Sequence, residues 1–287
     1  MRAIVGVKKS PFWFYGIKPS FVPAIAVIFL AVVTLSGCSS SGTQEKMFNE
    51  AEGLLSSGDF SGAYSKYSRL VDVYPSSQFA PKAQLMIGTI KSKHYNDVDG
   101  ALSAYMMLMK LYPDSKEVVI AHEEVAELLT AISEYRLSIE EYEWLLANGP
   151  KERQDVFRYE IARGFMSIND FTQARVELDE LLNKIPHTKL VIDAKYLIAM
   201  THYLEGSSKE AIEAFDRLIR GYPYHPRILD FYFAKVTALE ELGENKKALS
   251  ILKELKGEYK DNELIDIRIA ALEKKVNAGP KLRKRRR

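Results

Sequence analysis

A unit of about 37 residues recurs six times in this chain and constrains the fold more than any other feature. Its clearest marker is a proline after a mostly apolar stretch, with spacings of 38, 37, 36 and 37 residues: Pro75, Pro113, Pro150, Pro186 and Pro223. Twelve residues before each proline lies a small residue, and a sixth one extends the series: Ala63, Ala101, Ser138, Ala174, Ala211 and Ala248. Lys260 takes the proline position in the sixth unit. A period of this length predicts a protein built from stacked repeats.

Large apolar residues follow each small residue at helical spacing. Four residues on, the chain has Tyr67, Tyr105, Tyr142, Leu178, Phe215 or Leu252, and three residues further there is a leucine in every unit. Spacings of four and three place side chains on one face of a helix. The first half of each unit also carries a small residue where two helices must approach closely: Ala51, Gly88, Ala126, Ala162 and Ala199, with Val236 in the sixth unit.

Turn-forming residues separate the two helices predicted in each unit. They are Ser57-Gly58-Asp59, Asn96-Asp97, the weaker Ser133-Glu134, Asn169-Asp170, Gly206-Ser207 and Gly243-Glu244. The proline ends the second helix because it cannot continue one. These small, aromatic and proline positions resemble the tetratricopeptide pattern over roughly residues 44 to 260. The expected fold is all-α: a right-handed superhelical solenoid of about six tetratricopeptide-like hairpins with a C-terminal capping helix.

The pattern also predicts the domain boundaries. The six repeats are expected over residues 44–78, 79–115, 116–151, 152–187, 188–225 and 226–260. A capping helix over 261–279 should begin at Asp261 or Asn262, and its apolar residues are Leu264, Ile265, Ile267, Ile269, Leu272 and Val276. Gly279-Pro280 should end it. The basic segment 280–287 is expected to be disordered because it is too charged to fold.

A second informative feature is the start of the chain. The run from Phe21 to Leu35 is apolar and uncharged, and four basic residues precede it without an acidic one. This order is typical of a secretory signal peptide. Leu35-Ser36-Gly37-Cys38 resembles a bacterial lipobox, which implies removal of residues 1–37, a lipid on Cys38 and a short linker over 38–43. The alternatives are a buried or spare thiol, or an uncleaved anchor, although the run is short for a span of ~20 residues.

The predicted lipid restricts both location and chemistry. Cys38 is the sole cysteine, so the chain has no disulfide and no thiolate metal site once that residue is modified. No cofactor other than the covalent lipid is expected. Ser39 follows the cysteine in place of aspartate, which favours the outer membrane. The predicted location is therefore the periplasmic face of that membrane, with the lipid as the membrane contact.

Charge is distributed unevenly along the chain. The first 37 residues hold four of the 40 basic residues, the last eight hold six, and all 38 acidic residues lie between. The basic tail consists of Lys281, Arg283, Lys284, Arg285, Arg286 and Arg287, around Leu282. The signal peptide excludes nucleic acid as its partner. Anionic headgroups, an acidic partner or the acidic body of the chain remain open, as does a merely solubilising role.

The first helices are predicted to line a groove. If the small residue is position 8 of the unit, positions 5 and 9 should face that groove. They are Phe48 and Glu52, Leu85 and Thr89, Glu123 and Glu127, Tyr159 and Arg163, Tyr196 and Met200, and Phe233 and Thr237. This mixed surface suits an extended or helical peptide, so proteins rather than small-molecule substrates are the expected partners. The alternative is that several of these residues pack between repeats.

Catalysis has little support in the sequence, and the chain is predicted not to be an enzyme. The paired carboxylates Glu123-Glu124 and Glu140-Glu141 lie where a solvated helix face is expected. The five histidines lack the i, i+4 spacing of a helical metal site: His94, His122, His187, His202 and His225. Phosphate-binding glycine loops and nucleophile elbows are also missing from the sequence.

A lipobox followed by units of 36 to 38 residues resembles one family in particular. The stretches Phe60-Ser-Gly-Ala63 to Tyr74-Pro75 and Gly100-Ala101 to Tyr112-Pro113 are similar to the BamD-type lipoproteins of the outer-membrane β-barrel assembly machinery. The resemblance implies binding to the barrel-forming assembly subunit through the far repeats and to unfolded outer-membrane proteins through the membrane-near repeats. A pilotin-like lipoprotein and a cell-wall or polysaccharide-export scaffold are the alternatives.

Overall fold

The computed structural model describes residues 37–259 and 262–277, with side chains from residue 42 onwards. This part of the chain contains thirteen α-helices, one short 3-10 helix (Lys151–Arg153) and no strand. The α-helices are α1 Gly37–Ser56, α2 Phe60–Val73, α3 Ala80–Lys93, α4 Val98–Leu111, α5 Glu117–Ala131, α6 Tyr135–Asn148, α7 Gln154–Ser167, α8 Phe171–Lys184, α9 Val191–Leu204, α10 Ser208–Gly221, α11 Ile228–Glu241, α12 Asn245–Glu258 and α13 Glu263–Asn277. The predicted all-α class, six helical hairpins and a final helix, is confirmed.

The chain divides into two compact units, residues 1–79 and 80–287. The sequence predicts one continuous array, whereas this division falls between the first and second hairpins. In the first unit, α1 packs on α2 through Phe48, Ala51, Tyr67 and Leu70, of which Phe48 is the most exposed at 8%. The rings of Phe48 and Tyr67 lie 5.8 Å apart.

The second unit holds helices α3 to α13, and each helix packs on the next in sequence. Five hairpins are formed by α3 with α4, α5 with α6, α7 with α8, α9 with α10 and α11 with α12. The final helix α13 packs on α12. The hydrophobic core of this unit is therefore a continuous series of small clusters, one at each helix junction.

The small and large positions of the repeat form this core, as predicted. All six small residues of the second helices and all six leucines are at most 3% exposed. Gly88 and Tyr105 approach closely, since a Cβ on the glycine would lie 2.4 Å from the ring. Only glycine fits at that position, because any side chain would displace the buried ring.

The predicted turns are confirmed in all six hairpins, and the predicted proline ends of the second helices are confirmed in five. Each turn has one residue with positive φ, which reverses the chain after the first helix: Gly58, Asn96, Ser133, Asn169, Gly206 and Gly243. The carboxylates of Asp59, Asp97 and Asp170 then cap the following helix by accepting a backbone N–H at 2.8 to 3.0 Å. Each of the five prolines lies two residues after the end of a second helix.

The structure describes only part of each end of the chain. Residues 1–36, 260–261 and 278–287 lie outside the described residues, and with them most of the predicted signal peptide and the basic tail. The backbone of residues 38–43, expected to be a linker, is helical because α1 begins at Gly37 and no proline interrupts it. The side chain of Cys38 is not described. Among the described helices, none has both the length and the apolarity needed to traverse a bilayer.

Candidate functional site

Two of the residues predicted to face the groove lie in the core. Phe48 is 8% exposed and stacks on Phe79 at 5.2 Å in the first unit. Leu85 is 6% exposed and packs with Tyr105 and Leu108 in the second. The half-buried Glu52 accepts a hydrogen bond from the Tyr67 hydroxyl. Phe48 and Leu85 are not accessible to a partner, so the alternative of packing between helices applies to them.

Carboxylates occupy both groove positions of α5, and a further one lies next to a groove position on each of α5 and α7. We call Glu123, Glu124, Glu127 and Glu160 the acidic segment. Glu123 forms a two-pronged ion pair with Arg153, and Glu160 accepts from Arg163 at 2.9 Å. Lys93 lies 3.1 Å from Glu124. Three of the four carboxylates are thus held by cations, which reduces the charge that this segment can offer to a ligand.

Glu127 is the carboxylate of this segment with the weakest cation contact. Its nearest cation is Lys93, whose Nζ lies 3.9 Å away. Burial raises the pKa of Glu127, and the Glu124, Glu123 and Glu160 carboxylates add to that rise. The attraction of Lys93 opposes the shift without cancelling it. Ionisation of Glu127 is therefore less favourable in the folded chain than in an unperturbed glutamate.

Aromatic and apolar side chains dominate the groove positions of α9 and α11. We call Tyr196, Met200, Phe233 and Thr237 the aromatic segment. Together with Tyr203, Asp230, Ala234 and Arg268, they line a cavity of about 320 Å³. Four predicted groove residues from two repeats therefore surround one recess, and its volume suits one or two side chains of a bound peptide.

Charged groups lie at the edges of this recess. The guanidinium of Arg268 on α13 donates to Thr237 Oγ1 at 3.1 Å and to Glu240 at 2.9 Å, and lies 5.6 Å from the Phe233 ring centre. Arg227 lies 5.0 Å from the Tyr196 ring centre and pairs with Asp193. Each cation therefore contacts one of the aromatic rings that line the recess.

Glu240 holds the guanidinium of Arg268 in position through an ion pair. Burial opposes ionisation of this carboxyl, but hydrogen bonds from Lys275 and Arg268 outweigh it and hold its pKa below the usual range. The Glu240 side chain is 16% exposed. A charged, hydrogen-bonded carboxylate at this depth stabilises the position of the arginine that lines the recess.

Two further predicted residues lie between the segments. Tyr159 is half-buried and packs against the cluster around Ala162 and Leu178, and burial raises its pKa. Arg163 is exposed and bound to Glu160. The structure therefore joins Tyr196, Met200 and Phe233 in one recess, while Tyr159 and Arg163 do not line it.

Sequence reasoning missed four residues of the recess: Tyr203, Asp230, Ala234 and Arg268. Tyr203 lies one helical turn beyond Met200, and Ala234 adjoins Phe233, so a wider stripe would have included both. Arg268 belongs to α13, which the sequence treats only as a cap. The signal available was that α13 occupies the place of a first helix, whose side chains reach the groove.

Other features offer little for catalysis within the described residues. No group of three or more potential metal ligands occurs there. His122 stacks on Trp144 at 3.6 Å and contacts Glu141, which is a structural contact. A second cavity of about 510 Å³ lies among α10, α11 and α12, with Ile212, Leu239 and Ile251 at its base and paired charges at its rim.

Comparison with known proteins agrees with this architecture. The tetratricopeptide repeat model matches residues 82–115 and 193–223, which lie in the second and fifth repeats. A search of curated proteins finds no match.

Solved structures with the same fold have low sequence identity. A tetratricopeptide repeat protein from Parabacteroides merdae is 16% identical with a TM-score of 0.57, and the match covers 84% of this chain and 95% of that one. A repeat-containing protein from Cytophaga hutchinsonii is 14% identical with a TM-score of 0.56, covering 73% and 78%. PilW, a type IV pilus biogenesis factor, is 16% identical with a TM-score of 0.51, covering 78% and 97%.

These likenesses and the repeated hairpins lead to one conclusion. The fold is that of tetratricopeptide-repeat proteins, which typically act as scaffolds that bind other proteins and not as enzymes. This chain accordingly has the tetratricopeptide-repeat fold, and two of its segments match the model of that repeat.

Proposed function

We propose that this protein is a lipid-anchored scaffold on the periplasmic face of the bacterial outer membrane, which holds a protein partner in the aromatic segment. The observation that carries the binding site is the recess lined by Tyr196, Met200 and Phe233. Apolar recesses with a few fixed polar groups bind side chains of peptide ligands. The lipobox-like Leu35-Ser36-Gly37-Cys38 supports the anchor.

We further propose that the partner belongs to outer-membrane β-barrel assembly, as in the BamD-type lipoproteins that the sequence resembles. The recess lies in the fifth and sixth repeats, the far repeats to which the resemblance assigns the barrel-forming assembly subunit. An apolar side chain of that subunit can enter the recess while its neighbours contact Asp230 and Arg268. Unfolded outer-membrane proteins, whose strands alternate apolar and polar residues, are the second expected partner, and the resemblance assigns them to the membrane-near repeats.

A role in pilus biogenesis is the second candidate, favoured by the fold similarity to PilW over 78% of this chain. A pilotin-like lipoprotein would use the same anchor and the same groove for a different client. The repeat length of 36 to 38 residues favours the barrel-assembly proposal over this one.

Isolation of the protein from gently solubilised membranes distinguishes these clients. The tagged wild type and Met200→Glu would be purified in parallel, with Glu127→Ala as the matched control at the equivalent position of another repeat. Mass spectrometry should find a large barrel subunit with the wild type and the control, and much less with Met200→Glu. Recovery of a pilus secretin or a polymer-export protein would contradict the barrel-assembly role.

The anchor has its own test. The Cys38→Ser variant, which cannot be acylated on sulfur, should leave the membrane fraction and remain in the soluble periplasmic extract. The control is the wild type treated with the same high-salt wash, which removes proteins bound by charge alone. Retention of Cys38→Ser in washed membranes would contradict the lipid anchor.

A further inference from the structure

The final helix α13 packs on its neighbours through one face only. Asn262 accepts the Ile265 N–H at its start, and Ile265, Ile269 and Leu272 point into the core with at most 9% exposure. They contact Val236 on α11 and Leu252 on α12. The helix is therefore firmly attached to the last hairpin.

Ion pairs on both flanks of α13 fix the orientation of this helix about its own axis. On the α12 side, Lys256 pairs with Asp266 at 2.5 Å and Lys253 with Glu273 at 2.7 Å. On the α11 side, Glu240 accepts from Arg268 at 2.9 Å and from Lys275 at 2.5 Å. With the buried face and both flanks occupied, the remaining face of α13 must point outwards.

This outward face is apolar at its centre. Leu264 is 52% exposed and Ile267 is 58% exposed, and Ala270 and Ala271 beside them are exposed as well. In the six preceding hairpins, the small residue of the first helix is covered by the second helix of the same hairpin. Among the described residues, no second helix follows α13, and Ala270 and Ala271 stay exposed.

The ends of the outward face carry opposite charges. Glu263 lies at the N-terminal end and Lys274 at the C-terminal end, and neither forms a salt bridge within the described residues. Every other acidic or basic side chain of α13 is paired on a flank. The face is therefore a short apolar strip with one unpaired acid and one unpaired base at its two ends.

Such a face is complementary to a second copy of itself. When two α13 helices lie antiparallel about a two-fold axis, Glu263 of each copy meets Lys274 of the other. Ala270 and Ala271 then lie near the axis, where small side chains allow the helices to approach closely. Leu264 and Ile267 of each copy cover the alanines of the other. We propose that α13 is a self-association surface, through which two copies of this chain pair antiparallel.

The size of the surface sets the expected strength. A single helix pair falls at the low end of specific interfaces, below about 1,200 Å² in total. We therefore expect a reversible dimer with a dissociation constant of about 1 to 100 µM. This proposal does not depend on the groove or on the lipid anchor.

Analytical ultracentrifugation of the full chain in mild detergent, over a series of concentrations, tests the surface. The wild type should show a monomer–dimer equilibrium. Ile267→Asp should weaken it at least ~10-fold because a charge would be buried at the interface. Val176→Asp changes a residue of similar exposure on α8 and should leave it unchanged. A wild type that stays monomeric throughout, or a dimer that is unaffected by Ile267→Asp, overturns the proposal.

Charge reversal tests the antiparallel arrangement. Glu263→Lys and Lys274→Glu should each weaken the dimer, because like charges would meet at both ends. The double variant should recover the wild-type constant within about 3-fold, since the pairs are restored in the opposite sense. Both reversals oppose the helix dipole, so recovery cannot result from a more stable helix. Failure of the double variant to recover contradicts the antiparallel pairing.

Discussion

The acidic and aromatic segments of the groove occupy equivalent positions of the repeat and yet differ in character. At positions 5 and 9, the third repeat has Glu123 and Glu127, whereas the fifth has Tyr196 and Met200. Glu123 is held by an ion pair with Arg153, and the adjacent Glu124 by one with Lys93. The aromatic side chains surround an open recess instead. Equivalent backbone positions therefore give one part of the groove paired carboxylates and the other an open recess, which we propose as the binding surface.

The buried residues beneath the two segments differ in the same way. Tyr142 of the third repeat is buried beside the acidic segment: burial raises the pKa of its hydroxyl, and the Glu160, Glu127 and Glu123 carboxylates add to that rise. In the fifth repeat the equivalent residue is Phe215, which has no hydroxyl and contacts the Tyr196 ring at 6.0 Å. A tyrosine at this position thus accompanies a carboxylate on the first helix, and a phenylalanine accompanies an aromatic groove.

The largest expected effect comes from removing the support beneath the aromatic segment. Phe215 is fully buried, so Phe215→Ala should lower the free energy of unfolding by about 3 to 5 kcal/mol. Urea denaturation followed by circular dichroism measures it. Val176→Ala, at a residue 46% exposed, is the control and should change stability by less than about 0.5 kcal/mol. A similarly small effect of Phe215→Ala would show that the recess does not depend on this ring.

The second largest expected effect is a loss of affinity for the partner. Phe233→Ala removes an aromatic side chain from the recess and should weaken partner binding by about 10- to 100-fold, as for an aromatic hot spot. Glu127→Ala should change it by less than about 2-fold. Titration of the partner that co-purifies measures both constants. Equal losses in the two variants would mean that the segments contribute alike, contrary to the comparison.

Glu240 should show a moderate effect with a defined pH dependence. Glu240→Gln removes the partner of Arg268 and should cost about 1 to 2 kcal/mol at neutral pH. Because the folded pKa of Glu240 lies below its unfolded value, its contribution is present above the unfolded pKa. It is lost as pH falls through the folded pKa. The difference between wild type and variant should therefore shrink in acid, and a constant difference would contradict this.

Glu127 should show the smallest effect, with the opposite sign. Its pKa is raised in the folded chain, so ionisation costs stability; this cost grows as pH rises from the unfolded pKa to the folded pKa and is fully present above it. Glu127→Gln should stabilise the protein at neutral pH by a few tenths of a kcal/mol, because the side chain is 55% exposed. Thermal melts at several pH values should converge below the usual glutamate range. A destabilised variant at neutral pH would refute this account.

The fold was predictable because the same residue pattern occurs in six successive repeats. The small residue, the large residue four positions later and the leucine after that are buried in every hairpin. Even the weakly signalled turn at Ser133 has the positive φ of the other five. Local helix geometry determines these features, so they can be predicted from one amino-acid sequence.

The candidate site was less predictable, because position in the repeat does not determine accessibility. Phe48 and Leu85 occupy position 5, as Tyr196 does, but contacts with Phe79 and Tyr105 bury them. Arg268 reaches the recess from α13, a helix that follows the last repeat. These outcomes depend on contacts between separate helices, which the spacing within one unit does not determine.

The most direct test of the account is site-specific photo-crosslinking in intact cells. A photoreactive side chain replaces Met200 in the aromatic segment or Glu127 in the acidic segment of the full chain. We predict a strong cross-link to one outer-membrane protein from position 200 and little or none from position 127. A cross-link from position 127 alone would contradict the claim that the aromatic segment binds the partner.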